Sequence, residues 1–100
     1  MGKSKEDIIK EITAYLATRG VGSLDVIYVG IADDVKKRLF TDHNVSEKGG
    51  IWIYRQANSS DCAREVEKYL LDRGAQGGPG GGSDETNYVY AYKIEPYTKE

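Results

Sequence analysis

The sequence has few of the residues that build cross-linked, metal-clustered or membrane-spanning proteins. Its 100 residues include one cysteine, one histidine and two prolines. A single cysteine excludes an intramolecular disulfide and a multi-cysteine zinc site. No apolar run approaches the roughly 20 residues of a membrane span, and the opening MGKSKEDI lacks the apolar core of a signal peptide. We therefore expect a cytoplasmic protein without a membrane partner.

An excess of charge of either sign is also absent. Fourteen Lys and Arg residues face 16 Asp and Glu residues, for a formal net charge of -2. No strong basic field steers such a chain onto nucleic acid, so any contact of that kind must be local. The length suits one domain over residues 1–100 with a single modest core. Tyrosine is abundant, with eight residues beside one phenylalanine, and it suits half-exposed surfaces because it joins aromatic area to a polar group.

Three segments have the apolar spacing of amphipathic helices. Ser4 and Asp7 resemble a capping box at the start of the first helix, and Gly20 is a natural stop after it. The predicted helices cover residues 5–19, a segment from Asp33 or Asp34 to about His43, and residues 60–73. Lys36, Lys37 and Arg38 give the second helix a basic shoulder.

Three further segments alternate as β-strands do, at residues 26–30, 51–55 and 88–94. The alternation puts aliphatic residues on one face and aromatic residues on the other. The order helix, strand, helix, strand, helix, strand predicts an α+β fold, with a small three-stranded, mainly antiparallel sheet flanked by three helices. The aromatic face is either a substrate surface or is covered by the remaining helix.

One stretch resembles part of a nuclease signature. It begins with Tyr-Val-Gly at residues 28–30, continues to Arg38, ten residues after Tyr28, and ends at His43. This resembles the second half of the signature of the GIY-YIG nuclease superfamily, where YIG precedes a helix with an arginine and often a histidine. The resemblance implies catalytic roles for Tyr28, Arg38 and His43.

The third predicted helix resembles a later helix of the same family. It reads Ala63, three residues, Glu67, two residues and two leucines. The family's glutamate binds a single divalent metal, so the resemblance implies Mg²⁺ or Mn²⁺ on Glu67. The resemblance covers about residues 26–73.

The GIY strand that should precede Tyr28 is missing. The predicted first helix and the segment GVGSLD occupy its place in the sequence. The usual GIY-YIG sheet also has three strands, so the last strand is a candidate to replace the missing one. Such a permutation would put Tyr88, Tyr90 or Tyr92 where the GIY tyrosine stands.

Residues 74–86 are rich in glycine, and we expect a flexible loop within the domain. A lid or linker is the favoured interpretation. A phosphate cradle is the alternative, although the segment lacks the GK[ST] ending of a P-loop and leads into a strand. A third functional hypothesis is a binder of a small molecule or nucleotide that uses the glycine-rich loop as a lid.

Each candidate residue has a structural alternative. Arg38 either stabilises charge on a phosphate or forms a surface pair with Asp34 or Asp42. Glu67 either binds metal or belongs to a structural ion pair. Tyr28 is either a general base or an ordinary sheet tyrosine, and His43 either assists catalysis or caps helix carbonyls.

The remaining candidates concern binding. Residues that would contact substrate, in part by stacking, are Lys37, Trp52, Tyr54 and Tyr90. Asn87 is a possible match to a family asparagine, and Cys62 is either a nucleophile or, as we favour, a buried thiol.

The sequence therefore predicts a GIY-YIG-like, metal-dependent endonuclease or phosphodiesterase acting on nucleic acid. The alternative is a catalytically inactive module of the same fold that binds nucleic acid or a protein partner. The missing strand and the acidic balance favour the alternative. The sequence does not choose between DNA and RNA or indicate an oligomeric state.

Overall fold

The computed structural model describes residues 2–77 and 87–99. Its elements are α1 (Lys5–Thr18), a 3-10 turn (Leu24–Val26), β1 (Ile27–Ala32), a π-helix (Lys37–Asp42), β2 (Trp52–Gln56), α2 (Ser60–Asp72) and β3 (Tyr88–Lys93). The prediction of an α+β fold with one three-stranded antiparallel sheet and three helices is confirmed. Within the described ranges, no helix is long and apolar enough to cross a membrane.

The helices begin where side chains can cap them. Ser4 and Ser59 each accept a hydrogen bond from the backbone N–H three residues later, at 3.2 and 3.0 Å. Asp34 does the same before the π-helix, at 3.1 Å. These bonds satisfy N–H groups that have no partner within the helix. The predicted starts of all three helices are therefore close to the observed ones.

The last strand of the chain is the central strand of the sheet. The strand order is β1-β3-β2, and β3 is antiparallel to both neighbours. Tyr90 lies opposite Gly30 on one side and Tyr54 on the other. The C-terminal strand thus joins two strands that come much earlier in the sequence.

The two faces of the sheet have different cores, as the alternation predicts. The aliphatic face packs against α1 and α2; its strand residues are Ile27, Val29, Ile31, Ile53, Val89 and Ala91. The aromatic face packs against Val35 and Leu39. Its buried strand residues are Tyr28, Ala32, Tyr90 and Tyr92. The aromatic face is therefore largely covered by the middle helix.

The middle helix is a π-helix over most of its length, where the sequence predicts an α-helix. Val35 and Lys36 form a short α-helical start, and residues 37–42 continue with the wider turn. The His43 N–H donates to the Arg38 carbonyl at 2.8 Å, which is an i→i+5 bond. Such turns are rare and occur frequently at functional sites.

The start of the glycine-rich segment lies along the outer edge of β1. The Val29 N–H donates to the Gln76 carbonyl and the Gln76 N–H donates to the Ile27 carbonyl, both at 2.8 Å. Ala75 beside them is buried. These bonds hold the first residues of the predicted loop against the sheet, and residues 78–86 lie outside the described part of the chain.

Gly30 is required by the close approach of a tyrosine. A Cβ atom on Gly30 would lie 2.5 Å from the Tyr90 hydroxyl oxygen, and Tyr90 is 1% exposed. We expect Gly30→Ala to destabilise the fold by about 1 to 3 kcal/mol because of this overlap. Thermal unfolding measures the effect. Gly22→Ala is the control, since a Cβ atom at position 22 would meet nothing within 4 Å, and equal melting temperatures for the two variants would contradict the prediction.

Candidate active site

The π-helix brings Arg38 and His43 to the same tyrosine. His43 Nε2 lies 2.8 Å from the Tyr90 hydroxyl oxygen, and the Arg38 guanidinium interacts with the same hydroxyl. In an α-helix, a separation of five residues would rotate the two side chains about 140° apart. The wider turn therefore joins two residues that the family pattern only places in sequence order.

His43, the single histidine, is buried among Tyr28, Tyr90 and Tyr92, here called the tyrosine cluster. It is 4% exposed, and its ring centroid lies 4.8, 5.5 and 5.0 Å from those of Tyr28, Tyr90 and Tyr92. Its Nδ1 lies 2.6 Å from the Lys99 carbonyl oxygen. His43 is thus held through both ring nitrogens, and its place in the structure suits action through Tyr90 rather than direct contact with a ligand.

Tyr28 belongs to the same cluster. Its ring stacks on Tyr92 at 5.3 Å between centroids, with an interplanar angle of 24°. Tyr28 also acts electrostatically on both Arg38 and Tyr90. Two sheet tyrosines, 28 and 90, therefore flank the arginine from neighbouring strands.

Arg38 is the least satisfied polar group of the cluster. Its Nε is buried and makes no hydrogen bond within the described part of the chain. One Nη lies 3.5 Å from Asp42, the surface pair that the sequence offers as its structural alternative. Burial, the largest single effect, lowers the pKa of Arg38, but its interactions with Tyr90, Asp42 and Tyr28 together raise it. The guanidinium is therefore charged and has donors available for an anion.

Tyr90 shows how the charges around it compete. Burial raises the pKa of its hydroxyl, the adjacent Arg38 lowers it, and the charges of Tyr28 and Glu67 raise it further. The net shift is upward, so the phenol carries its proton at neutral pH. Tyr90 is therefore a neutral phenol that shares a hydrogen bond with His43 and is not a standing phenolate.

Glu67 lies on the helix that packs on the opposite face of the sheet from the tyrosine cluster. Its helix, α2, packs on the aliphatic face and against β1, yet the Glu67 charge raises the pKa of Tyr90. Burial raises the pKa of Glu67 itself, and the charge of Arg64 partly opposes the shift. Among the described residues, Glu67 takes part in no ion pair. Its half-buried carboxylate is therefore only partly compensated.

A single carboxylate of this kind is compatible with a divalent cation. Within the described ranges, no group of three or more His, Cys, Asp or Glu residues is positioned to hold a metal. Mg²⁺ commonly keeps several waters and binds through one or two carboxylates together with substrate phosphates. A cation would also relieve the desolvation cost at Glu67. The donor set therefore fits a substrate-assisted cation better than a permanent structural metal.

A shallow cavity of about 170 Å³ opens beside Arg38, at the end of β1. Its lining residues are Ile31, Ala32, Asp33, Asp34, Lys37 and Arg38. Lys37 is exposed, and its amino group lies 3.7 Å from Asp42. The cavity brings two cations and two carboxylates to the surface next to the buried cluster.

The two other aromatic candidates lie on β2, away from Arg38. Trp52 and Tyr54 are half-buried with nearly parallel rings, 6.2 Å between centroids and 4° between planes. Phe40 meets the Trp52 ring edge-on at 5.0 Å. Tyr54 is the cross-strand neighbour of Tyr90, so this aromatic pair continues from the cluster toward the edge of the sheet.

Two weaker candidates have structural contacts. Cys62 is buried, as expected for a thiol that packs in the core, and its Sγ lies 3.6 Å from the Lys3 carbonyl oxygen. The Asn87 side chain donates to the Ala57 carbonyl at 3.3 Å, which ties the start of β3 to the end of β2.

Comparisons of this chain with protein families, with curated proteins and with solved structures find no match. The resemblance to the GIY-YIG superfamily therefore remains a prediction from the sequence. The Lys99 carbonyl is a member of the cluster that the sequence did not predict, and the sequence indicates Tyr92 only as one of three possible replacements for the GIY tyrosine.

The raised pKa of Glu67 makes the stability of the protein depend on pH. As pH rises above the ordinary carboxyl value of 4.5, the unfolded state loses this proton before the folded state does, so wild type loses stability there. We expect Glu67→Gln to melt above wild type at pH 7 in EDTA, with the gap closing below pH 4.5. The exposed Glu65→Gln on the same helix should show no such gap. A Glu67→Gln variant that melts below wild type at pH 7 would instead indicate a stabilising ion pair.

Proposed function

We propose that this protein is a GIY-YIG-like, metal-dependent phosphodiesterase that cleaves nucleic acid. The observation that carries the proposal is the Arg38 guanidinium, which lines an open cavity and whose buried Nε makes no hydrogen bond within the described part of the chain. A buried donor without a partner costs about 1 to 3 kcal/mol. A phosphate oxygen would supply the missing acceptor through the planar, bidentate geometry that arginine favours.

The proposed chemistry is hydrolysis of a phosphodiester by water. Arg38 holds the phosphate and balances the charge that develops on its oxygens as water adds and the sugar oxygen leaves. The hydroxyls of Tyr28 and Tyr90 orient the attacking water. His43 Nε2 lies 2.8 Å from the Tyr90 hydroxyl, so when its lone pair faces that hydroxyl, a proton taken from water by the Tyr90 oxygen is accompanied by transfer of the phenolic proton to Nε2.

Glu67 would hold the Mg²⁺ or Mn²⁺. The cation supplies Lewis-acid stabilisation of the phosphate and its leaving oxygen when bound. Lys37 would bind a flanking phosphate from the rim of the cavity, and Trp52 and Tyr54 would stack bases of the strand beyond it. The net charge of -2 gives the protein no general attraction to nucleic acid. Binding would therefore depend on the local contacts of Arg38, Lys37 and the β2 aromatic rings.

A binding module without catalysis is the second candidate, and the burial of the cluster favours it. Tyr28 is 8% exposed and Tyr90 is 1% exposed. Side chains that contact water and substrate during catalysis would be expected to be more exposed. In this case the aromatic pair on β2 and the basic residues of the π-helix bind a nucleic-acid strand without cutting it.

Cleavage assays separate the two candidates. End-labelled single-stranded DNA, duplex DNA and RNA are incubated with wild type, Arg38→Lys and Glu67→Gln in Mg²⁺, Mn²⁺ or EDTA. We expect wild type to cut with either metal, and each variant to lose about 10²-fold or more of the rate, since each removes one charge-stabilising contact to the phosphate.

The controls are Lys36→Ala and Glu65→Gln, which change exposed charges on the same two helices. Both should cut at the wild-type rate. A wild-type protein that cuts none of the three substrates, yet binds one of them with an affinity that Trp52→Ala and Tyr54→Ala reduce, would replace the phosphodiesterase by the binding module.

A further inference from the structure

The end of the segment after β3 contacts His43 and its neighbour Asn44. The Lys99 N–H donates to the His43 carbonyl at 2.7 Å, and the Asn44 side chain donates to the Tyr97 carbonyl at 2.9 Å. The Lys99 carbonyl oxygen accepts from the Tyr92 hydroxyl at 3.3 Å and lies 2.6 Å from His43 Nδ1. Residues 95–99 are here called the tail, and its Lys99 backbone groups touch the histidine.

The Lys99 carbonyl determines which ring nitrogen of His43 carries the proton. A carbonyl oxygen accepts hydrogen bonds and cannot donate one, so His43 Nδ1 must be the protonated nitrogen at 2.6 Å from it. The Tyr92 hydroxyl also lies 3.1 Å from Nδ1, but its proton is directed at the same carbonyl. In the neutral ring, Nε2 then has the lone pair and accepts the Tyr90 O–H. The tail thus fixes the tautomer of a side chain that lies far from it in the sequence.

The direction of the Tyr90 proton matters because Arg38 lies on the same hydroxyl. With the proton directed at His43, the Tyr90 oxygen presents lone pairs to the guanidinium, which is a donor facing an acceptor. In the other tautomer, Nε2–H would donate to the Tyr90 oxygen, and the phenolic proton would turn toward the guanidinium. Two donors would then oppose each other at the proposed site.

We propose that the tail is a positioning element of the candidate active site, in which the Lys99 carbonyl holds His43 as the Nδ1–H tautomer and so points the Tyr90 hydroxyl proton away from Arg38. The effect on cleavage rests on the proposed function. The tautomer itself does not, because it follows from the hydrogen-bond partners of His43.

The tautomer is measured by NMR of the ring nitrogens, through two-bond couplings between ring protons and ¹⁵N, at a pH where the ring is neutral. Three proteins are compared: wild type, a chain ending after Tyr97, and Lys99→Ala, which keeps the carbonyl and removes an exposed side chain. We expect the Nδ1–H tautomer in wild type and in Lys99→Ala. Loss of the carbonyl should shift the shortened chain toward the Nε2–H form.

A variant that preserves the whole tail guards against simple unfolding of the shortened chain. Replacing the peptide bond after Lys99 by an ester weakens that carbonyl as an acceptor and leaves every side chain in place. Its His43 should also shift toward Nε2–H. Wild type in the Nε2–H form, or an unchanged tautomer in a folded shortened chain and in the ester, would overturn the inference.

Cleavage gives the second readout. If wild type cuts nucleic acid, we expect the ester and the shortened chain to lose about tenfold or more in kcat with little change in KM, since substrate contacts remain and proton direction is lost. Lys99→Ala should match wild type. A wild-type protein without cleavage would remove the proposed function but leave the tautomer measurement decisive for the tail.

Discussion

The hydrogen bond between the Tyr90 hydroxyl and His43 Nε2 depends on several parts of the chain that are distant in sequence. It needs a glycine at position 30, because a side chain there would occupy the space of the hydroxyl. It needs the wide π-turn, which carries His43 to the same side as Arg38. It also needs the tail carbonyl at Lys99, which keeps the proton on the opposite side of the ring. Strand, helix and tail therefore meet at one buried bond.

A buried polar group stabilises a fold only when its partners are in place, since an unmade bond costs more than a made one contributes. The imidazole and the two phenols around it have their partners, and they tie β3 to the middle helix and the tail. The aliphatic face of the sheet has no comparable requirement, because packing there is non-directional. Its cluster supplies stability, whereas the tyrosine cluster specifies how the other elements are arranged.

Local pattern was sufficient for the elements and their faces. Caps at Ser4, Asp34 and Ser59 and the alternation of β3 predict helix starts and sheet faces, because these depend on residues a few positions apart. Local pattern did not predict the strand order, the π-turn or the position of the tail. Strand order and the position of the tail depend on contacts between distant residues, such as His43 with Lys99. The π-turn was missed because an ordinary α-helix, with about 3.6 residues per turn, would point the Arg38 and His43 side chains in different directions. The family pattern named both residues without predicting what joins them.

The departures from ordinary folding rules lie beside Tyr90 or act on it. The π-turn and the Arg38 Nε, which makes no hydrogen bond within the described part of the chain, lie beside Tyr90, and the Glu67 carboxylate acts on Tyr90 electrostatically from the opposite face of the sheet. Natural proteins tend to break such rules where a ligand compensates for the cost. The two unsatisfied groups have opposite charge, so neither an anion nor a cation alone would satisfy both. A phosphate with its divalent cation would satisfy both, and this is the reason that we propose phosphodiester chemistry and not the binding of a simple anion.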